Sequence, residues 1–197
     1  MREKPRDRKY YQHLYRFDES SHTYLMEVSL DDYDDVYDDW DPSPFKKRDI
    51  EDEFNDFILD SSEDIPLHMN VSVVLHLPES KRDREKEAIL ESAYRFFYGY
   101  IVQRLRRGLL NQNIRAASYL VLSLFFMSIG YFFKWEQGNM MLTVLQEGIL
   151  IGGWVFLWEF ITSLFITGRE KVREYRLHRR LQEAEVRFVY HPAEKSN

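Results

Sequence analysis

Carboxylates are the side chains of this sequence best placed to do chemistry. Seven aspartates fall within eleven positions, at Asp31, Asp32, Asp34, Asp35, Asp38, Asp39 and Asp41. Clustered carboxylate oxygens are the ligands that Ca²⁺ and Mg²⁺ take. The EF-hand spacing is absent, with no glycine at its sixth position and no glutamate at its twelfth. The plainer reading is a mobile, metal-free acidic loop that lies on Lys46, Lys47 and Arg48 and is repelled by any anionic membrane nearby.

Two more acids, Glu147 and Glu159, interrupt an otherwise apolar stretch from Met140 to Gly168. Carboxylates inside a membrane segment are functional candidates by default. Here they serve ion or proton passage in an oligomer, or sit protonated and hydrogen-bonded to Ser123, Ser128 or interfacial water. A helix starting at Met140 places Glu147 ~10 Å and Glu159 ~30 Å along its axis. Gly148 and Gly152 have the spacing that lets two apolar helix backbones approach closely. Their partner is the chain's own first apolar helix or a second copy.

Other reactive constellations are missing. No histidine pairs with another at i+3 or i+4, and His76 alternates with the apolar side of its strand. No serine sits in a nucleophile elbow, and no glycine-rich loop cradles phosphate. The chain has no cysteine, which excludes disulfides, thiolate metal sites and a cysteine nucleophile. No enzyme activity, cofactor or metal is therefore expected. The formal charge of −6 argues against nucleic acid as a partner.

The elements that position these residues follow from periodicity. Residues 9–30 read as a β-hairpin, with Tyr24, Met26, Val28 and Leu30 on one side and a turn at 18–22. An amphipathic helix spans about 49–63 through Ile50, Phe54, Phe57 and Ile58, and Pro66 ends it. Residues 70–77 alternate as a strand. Ser80 starts a long helix whose apolar face runs through Ile89, Ala93, Phe96, Phe97, Tyr100, Ile101, Leu105 and Leu109.

Residues 116–133 then carry no charge. At ~1.5 Å per residue they cover ~27 Å, near the ~30 Å of a hydrocarbon core. With 140–167 they form a transmembrane hairpin, joined by a short polar turn. Arg104, Arg106, Arg107 and Arg115 precede it; Arg169, Lys171, Arg173, Arg176, Arg179 and Arg180 follow it. The turn holds only Lys134 as a base, so the flanks are expected to stay cytoplasmic. A helix after 168 and a strand at 186–190 complete the chain. No secretory signal is read at the N-terminus.

The motifs Trp40-Asp-Pro-Ser-Pro-Phe45, Arg48-Asp-Ile50, Asp60-Ser-Ser-Glu-Asp-Ile-Pro66 and His76-Leu-Pro78, with Glu147-Gly148 and Trp154, resemble an uncharacterised family of small bacterial proteins. Members have a soluble α+β part and two transmembrane helices. The likeness runs from about residue 23 to 190. It implies a bacterial membrane protein and carries over no activity.

The expected fold is α+β: a small mixed sheet with covering helices, interrupted by a two-helix transmembrane hairpin. Residues 1–113 form the first part of a cytosolic domain, 114–167 the hairpin, and 168–197 a helix and strand that complete the domain. The expected function is a membrane-anchored cytosolic module that docks a partner or senses a signal. The alternative is an effector whose hairpins oligomerise to perturb the inner membrane. The expected partners are the lipid bilayer and a protein partner or further copies of the chain. A soluble protein with a buried helical hairpin is the competing architecture.

Overall fold

The computed structural model describes residues 7–38, 50–132 and 140–192. The chain divides into two units, one built from 1–103 with 176–197 and the other from 104–175. The first is an α+β unit. Its sheet has four strands in the order β1 (Arg16–Asp18), β2 (Thr23–Ser29), β3 (Asn70–Pro78) and β4 (Glu185–His191). β1 pairs antiparallel with β2, while β2–β3 and β3–β4 are parallel. The sheet is therefore mixed, and β4 does return to the sheet begun by the first strands.

The expected hairpin is shorter than its sequence suggests. Residues Asp7–Leu14 form a helix, α1, although Tyr10, Tyr11 and Leu14 favour strand. Tertiary contact decides the matter: Tyr11 is buried edge-on against Tyr24, with ring centroids 5.2 Å apart. Tyr10 and Leu14 stay exposed. The turn into β2 is tied by Asp18, which accepts from Ser20 N at 3.0 Å, Ser20 Oγ at 2.6 Å and Ser21 Oγ at 2.8 Å. His22 closes it with φ 54°, a left-handed conformation that non-glycine residues seldom take.

Alternation sets the two faces of the sheet. Tyr24, Met26 and Leu30, then Val71, Val73, Leu75 and Leu77, then Val186 are buried on one face. Three helices contribute to the same core: α2 (Asp52–Asp64) through Phe54 and Ile58, α3 (Arg84–Phe132) through Leu90, Ala93, Tyr94 and Tyr98, and α5 (Gly168–Glu183) through Leu181. Each fully buried aliphatic side chain contributes about 1.5–3 kcal/mol.

Two of these faces are rotated from the expected ones. Phe57 of α2 and Phe96 and Tyr100 of α3 point outward, while Leu90, Tyr94 and Tyr98 point inward. A helix face is fixed by what it packs against, and the Tyr98 hydroxyl donates to Asn55 Oδ1 at 3.1 Å. The start of α3 also differs. Asp83, not Ser80, caps it, accepting from Glu85 N at 2.9 Å and Lys86 N at 3.3 Å.

The end of α2 is closed from another element. Pro66 stops the helix, leaving carbonyls without partners. The Arg180 guanidinium, from α5, donates to Pro66 O at 2.9 Å, Ile65 O at 3.1 Å, Met69 O at 3.4 Å, Ser62 Oγ at 2.7 Å and Ser62 O. A cation at a helix C-terminus also suits the helix dipole. Arg180 is thus a structural residue turned inward, not one of the membrane-facing bases expected from sequence. Burial pushes its pKa down to about 10.

Replacing Arg180 with Met removes those donors, including the one to Ser62 O in the last turn of α2. Each hydrogen bond to a charged group contributes about 1.5–3 kcal/mol, and removing one side of a buried charged network costs about 3–5 kcal/mol. The Arg180→Met chain is expected to melt about 10 °C lower. Arg180→Lys is expected to recover little of that, since one ammonium cannot reach so many acceptors. Scanning calorimetry of the full chain in mild detergent checks both.

Candidate functional site

The second unit, residues 104–175, is the most distinctive feature of the molecule. It holds the C-terminal part of α3, then α4 (Met140–Thr162), a π-turn at Ser163–Thr167 and the start of α5. α3 and the continuous segment Met140–Glu183 are both long and apolar enough to cross a membrane. Only 17% and 6% of their most apolar windows are buried. Val121, Leu124, Phe125, Ile151, Trp154, Val155 and Trp158 all point outward. A soluble helical hairpin would hide these side chains, so the buried-hairpin reading does not describe this structure.

Between the two helices the contact is close and carries polar links. Gly153 is buried against Met127, and a Cβ there would lie 2.6 Å from Met127 Cγ and 3.2 Å from its backbone nitrogen. A Cβ on Gly130 would lie 2.6 Å from Leu150 Cδ2. The rings of Phe126 and Phe156 stack at 5.6 Å, and those of Tyr119 and Phe156 at 6.4 Å. Gln146 Nε2 donates to Gly130 O at 2.8 Å. Gln112 Nε2 donates to Ser163 O at 3.1 Å, the carbonyl that opens the π-turn. That carbonyl also takes the Gly168 N–H of the π-turn, so the amide adds a second hydrogen bond that ties α3 to it.

Those contacts reassign the glycines. Gly148 and Gly152 do not line the helix–helix contact, since a Cβ on either meets nothing within 4 Å. The glycines that the approach requires are Gly130 and Gly153. The GxxxG spacing names a stripe, but the facing side chains select the stripe that is used.

Glu147 and Glu159 lie exposed on α4, away from that contact. Ser123, the partner suggested for Glu147, is buried between the helices and donates to Met127 Sδ at 3.7 Å. Arg104, Arg106, Arg107, Arg115, Arg169, Lys171, Arg173, Arg176 and Arg179 are exposed. Sequence reasoning missed Gln112 and Gln146. Their signal was visible: two amides inside or beside apolar helices, where an unsatisfied polar group is costly.

The described part of the acidic segment, Asp31 to Asp38, belongs to the first unit and forms a hydrogen-bonded turn. Asp32 caps a 3-10 turn at Tyr33–Val36, and Asp35 Oδ2 accepts from Asp31 N at 2.7 Å and Asp32 N at 2.9 Å. Tyr33, Val36 and Tyr37 are buried in the core, and Tyr37 bridges Ile50. Among the described residues, Lys81 lies 2.7 Å from Asp32 and Lys86 3.6 Å from it. The Lys81 hydrogen bond holds the Asp32 carboxyl below its usual range. Asp39 and Asp41 lie outside the described residues, as do Lys46, Lys47 and Arg48.

A chain of hydroxyls continues from this turn. Tyr33 Oη accepts from Asp83 N at 3.2 Å and meets Tyr190 Oη at 2.7 Å, and Tyr190 donates to Glu87 Oε1. Burial and the Glu87 carboxylate both push the Tyr190 hydroxyl well above its usual pKa. On the opposite sheet face, His76 Nδ1 and His191 Nε2 lie 2.6 Å apart, with Glu27 Oε1 3.4 Å from His76 Nε2. Pairing across β3 and β4 made this contact, which sequence spacing could not show. Among the described residues no three His, Asp or Glu side chains are grouped to hold a metal. No family model, curated protein or solved structure matches the chain.

Size at Gly153 separates the two glycine stripes. Gly153→Leu is expected to break the helix pair and lower the yield of folded chain on detergent extraction. Gly148→Leu with Gly152→Leu is expected to leave extraction and thermal stability within about 0.5 kcal/mol of the parent. Calorimetry on the extracted chains distinguishes the two outcomes.

Proposed function

We propose that the chain is a membrane-anchored α+β module of the bacterial inner membrane, with both of its ends and its sheet unit in the cytoplasm. Its role is to dock a protein partner or sense a signal at the membrane surface. The observation that carries this reading is the outward apolar surface of the helix pair. Lipid is the medium in which such a surface is stable.

Charge placement supports the orientation. Nine exposed bases flank the spans on their outer ends: Arg104, Arg106, Arg107 and Arg115 on one, Arg169, Lys171, Arg173, Arg176 and Arg179 on the other. The connecting turn holds Lys134 alone. Such bases stay cytoplasmic. Trp154 and Trp158 face the lipid in this reading.

A second reading is favoured by the free glycine stripe. Gly148 and Glu159 are eleven residues apart, within ~20° on a helical wheel, and Gly152 lies ~20° beyond Glu159 on the same side. An outward stripe of this kind suits self-association, as in an effector whose hairpins oligomerise and perturb the bilayer. Growth arrest with membrane depolarisation on overexpression, abolished by Gly148→Leu with Gly152→Leu, is the result expected of the effector and not of the docking module.

Fractionation and reporter fusions test the anchor. Alkaline carbonate is expected to leave the chain in the membrane pellet. A fluorescent protein fused after Asn197 is expected to glow, and a phosphatase inserted near Gly138 to be active outside the cytoplasm. Phosphatase activity at Asn197 would reverse the orientation. Recovery in the soluble fraction without detergent would remove the anchor.

A further inference from the structure

At the edge of the sheet where β2, β3 and β4 begin, a cleft of about 600 Å³ opens against α5. One wall carries Arg176, Arg179 and Arg180; the facing wall carries Ser21, Thr23 and Ser72. The hydroxyls already touch, Ser21 Oγ to Thr23 Oγ1 at 2.7 Å and Ser72 Oγ to Thr23 Oγ1 at 3.3 Å. α5 brings the arginines together because residues four apart share a helix face. The strand starts bring the hydroxyls together because the parallel register aligns Thr23 with Asn70 and Ser72 with Glu185.

The cleft also has two acids, and both are engaged. Glu183 Oε1 takes Arg179 Nε at 2.9 Å, and Glu185 Oε2 takes Arg187 at 2.7 Å. Arg176 has no ion pair among the described residues. Arg180 is held by neutral groups only, the carbonyls of Ser62, Ile65, Pro66 and Met69 and the Ser62 hydroxyl. Its Nε–H is buried without an acceptor. A buried cation without a counter-charge is costly, and an anion placed before it offsets that cost.

We propose that this cleft binds a phosphate group, with Arg176 as its principal cation, beside the uncompensated charge of Arg180. A guanidinium presents a planar fork of donors that matches phosphate oxygens. Two sources share this chemistry, a soluble phosphate compound and the headgroup of an anionic lipid. The proposal rests on the geometry of the sheet unit alone, so it stands or falls independently of the membrane reading.

Calorimetric titration of the full chain with pyrophosphate, in mild detergent and at low salt, tests it. A saturable 1:1 heat is expected, weakened about tenfold or more by Arg176→Glu. Arg176 is exposed, and circular dichroism confirms that the variant folds. A parallel arm compares thermal midpoints in nanodiscs of phosphatidylcholine and of phosphatidylglycerol. Saturable pyrophosphate binding lost in Arg176→Glu identifies a soluble ligand. Stabilisation by phosphatidylglycerol alone, also lost in Arg176→Glu, identifies a headgroup. Absence of both responses, or responses that Arg176→Glu leaves unchanged, overturns the proposal.

Discussion

The parallel pairing of β3 with β4 constrains everything between them. A parallel neighbour cannot be reached by a tight turn, so the chain must cross back to the end of the sheet where β3 began. Here that crossover runs from α3 through α4 to α5 and contains both apolar helices. The helix pair is thus an insertion in the crossover of a βαβ unit.

Different physics holds the two units. In the sheet unit the hydrophobic effect dominates, with Met26, Ile58, Leu75, Leu77, Leu90 and Leu181 all buried. The polar exception is Arg180, which substitutes a guanidinium for the missing next turn of α2. In the helix pair many large apolar side chains point outward, so burial holds less of it together. Cohesion there comes from close packing at Gly130 and Gly153, from stacked rings, and from the amides of Gln112 and Gln146.

The second sheet face shows how charge can shield a small apolar patch. Leu25 and Val74 are buried there without a covering helix of the main core. Arg187 stretches to Asp18 at 2.7 Å, and Arg16, Glu27, His76 and His191 form a second line. The Ser20, Arg187 and Ser21 hydrogen bonds hold the Asp18 carboxyl far below its usual range. Its stabilising contribution is present above the usual carboxylate range near pH 4 and fades as pH falls below it.

Apart from α1, element type, the order of strands and helices, and the apolar character of the two long helices were legible in the sequence by itself. They depend on local periodicity and on composition over windows of a turn or more. So did the side of the strand on which His76 sits, because alternation needs no knowledge of neighbours. What only the tertiary structure decided are the contacts between distant positions. Tyr11 follows a helix and not a strand because Tyr24 receives it. Arg180 caps α2 although its neighbours in sequence read as membrane-flanking bases. Gly153 serves the helix contact where the Gly148 and Gly152 spacing advertised another stripe. His76 meets His191 across 115 positions of chain. The physical reason is common to all four: periodicity tells which residues share a face, whereas the partner of that face is set by packing, which a one-dimensional pattern does not contain.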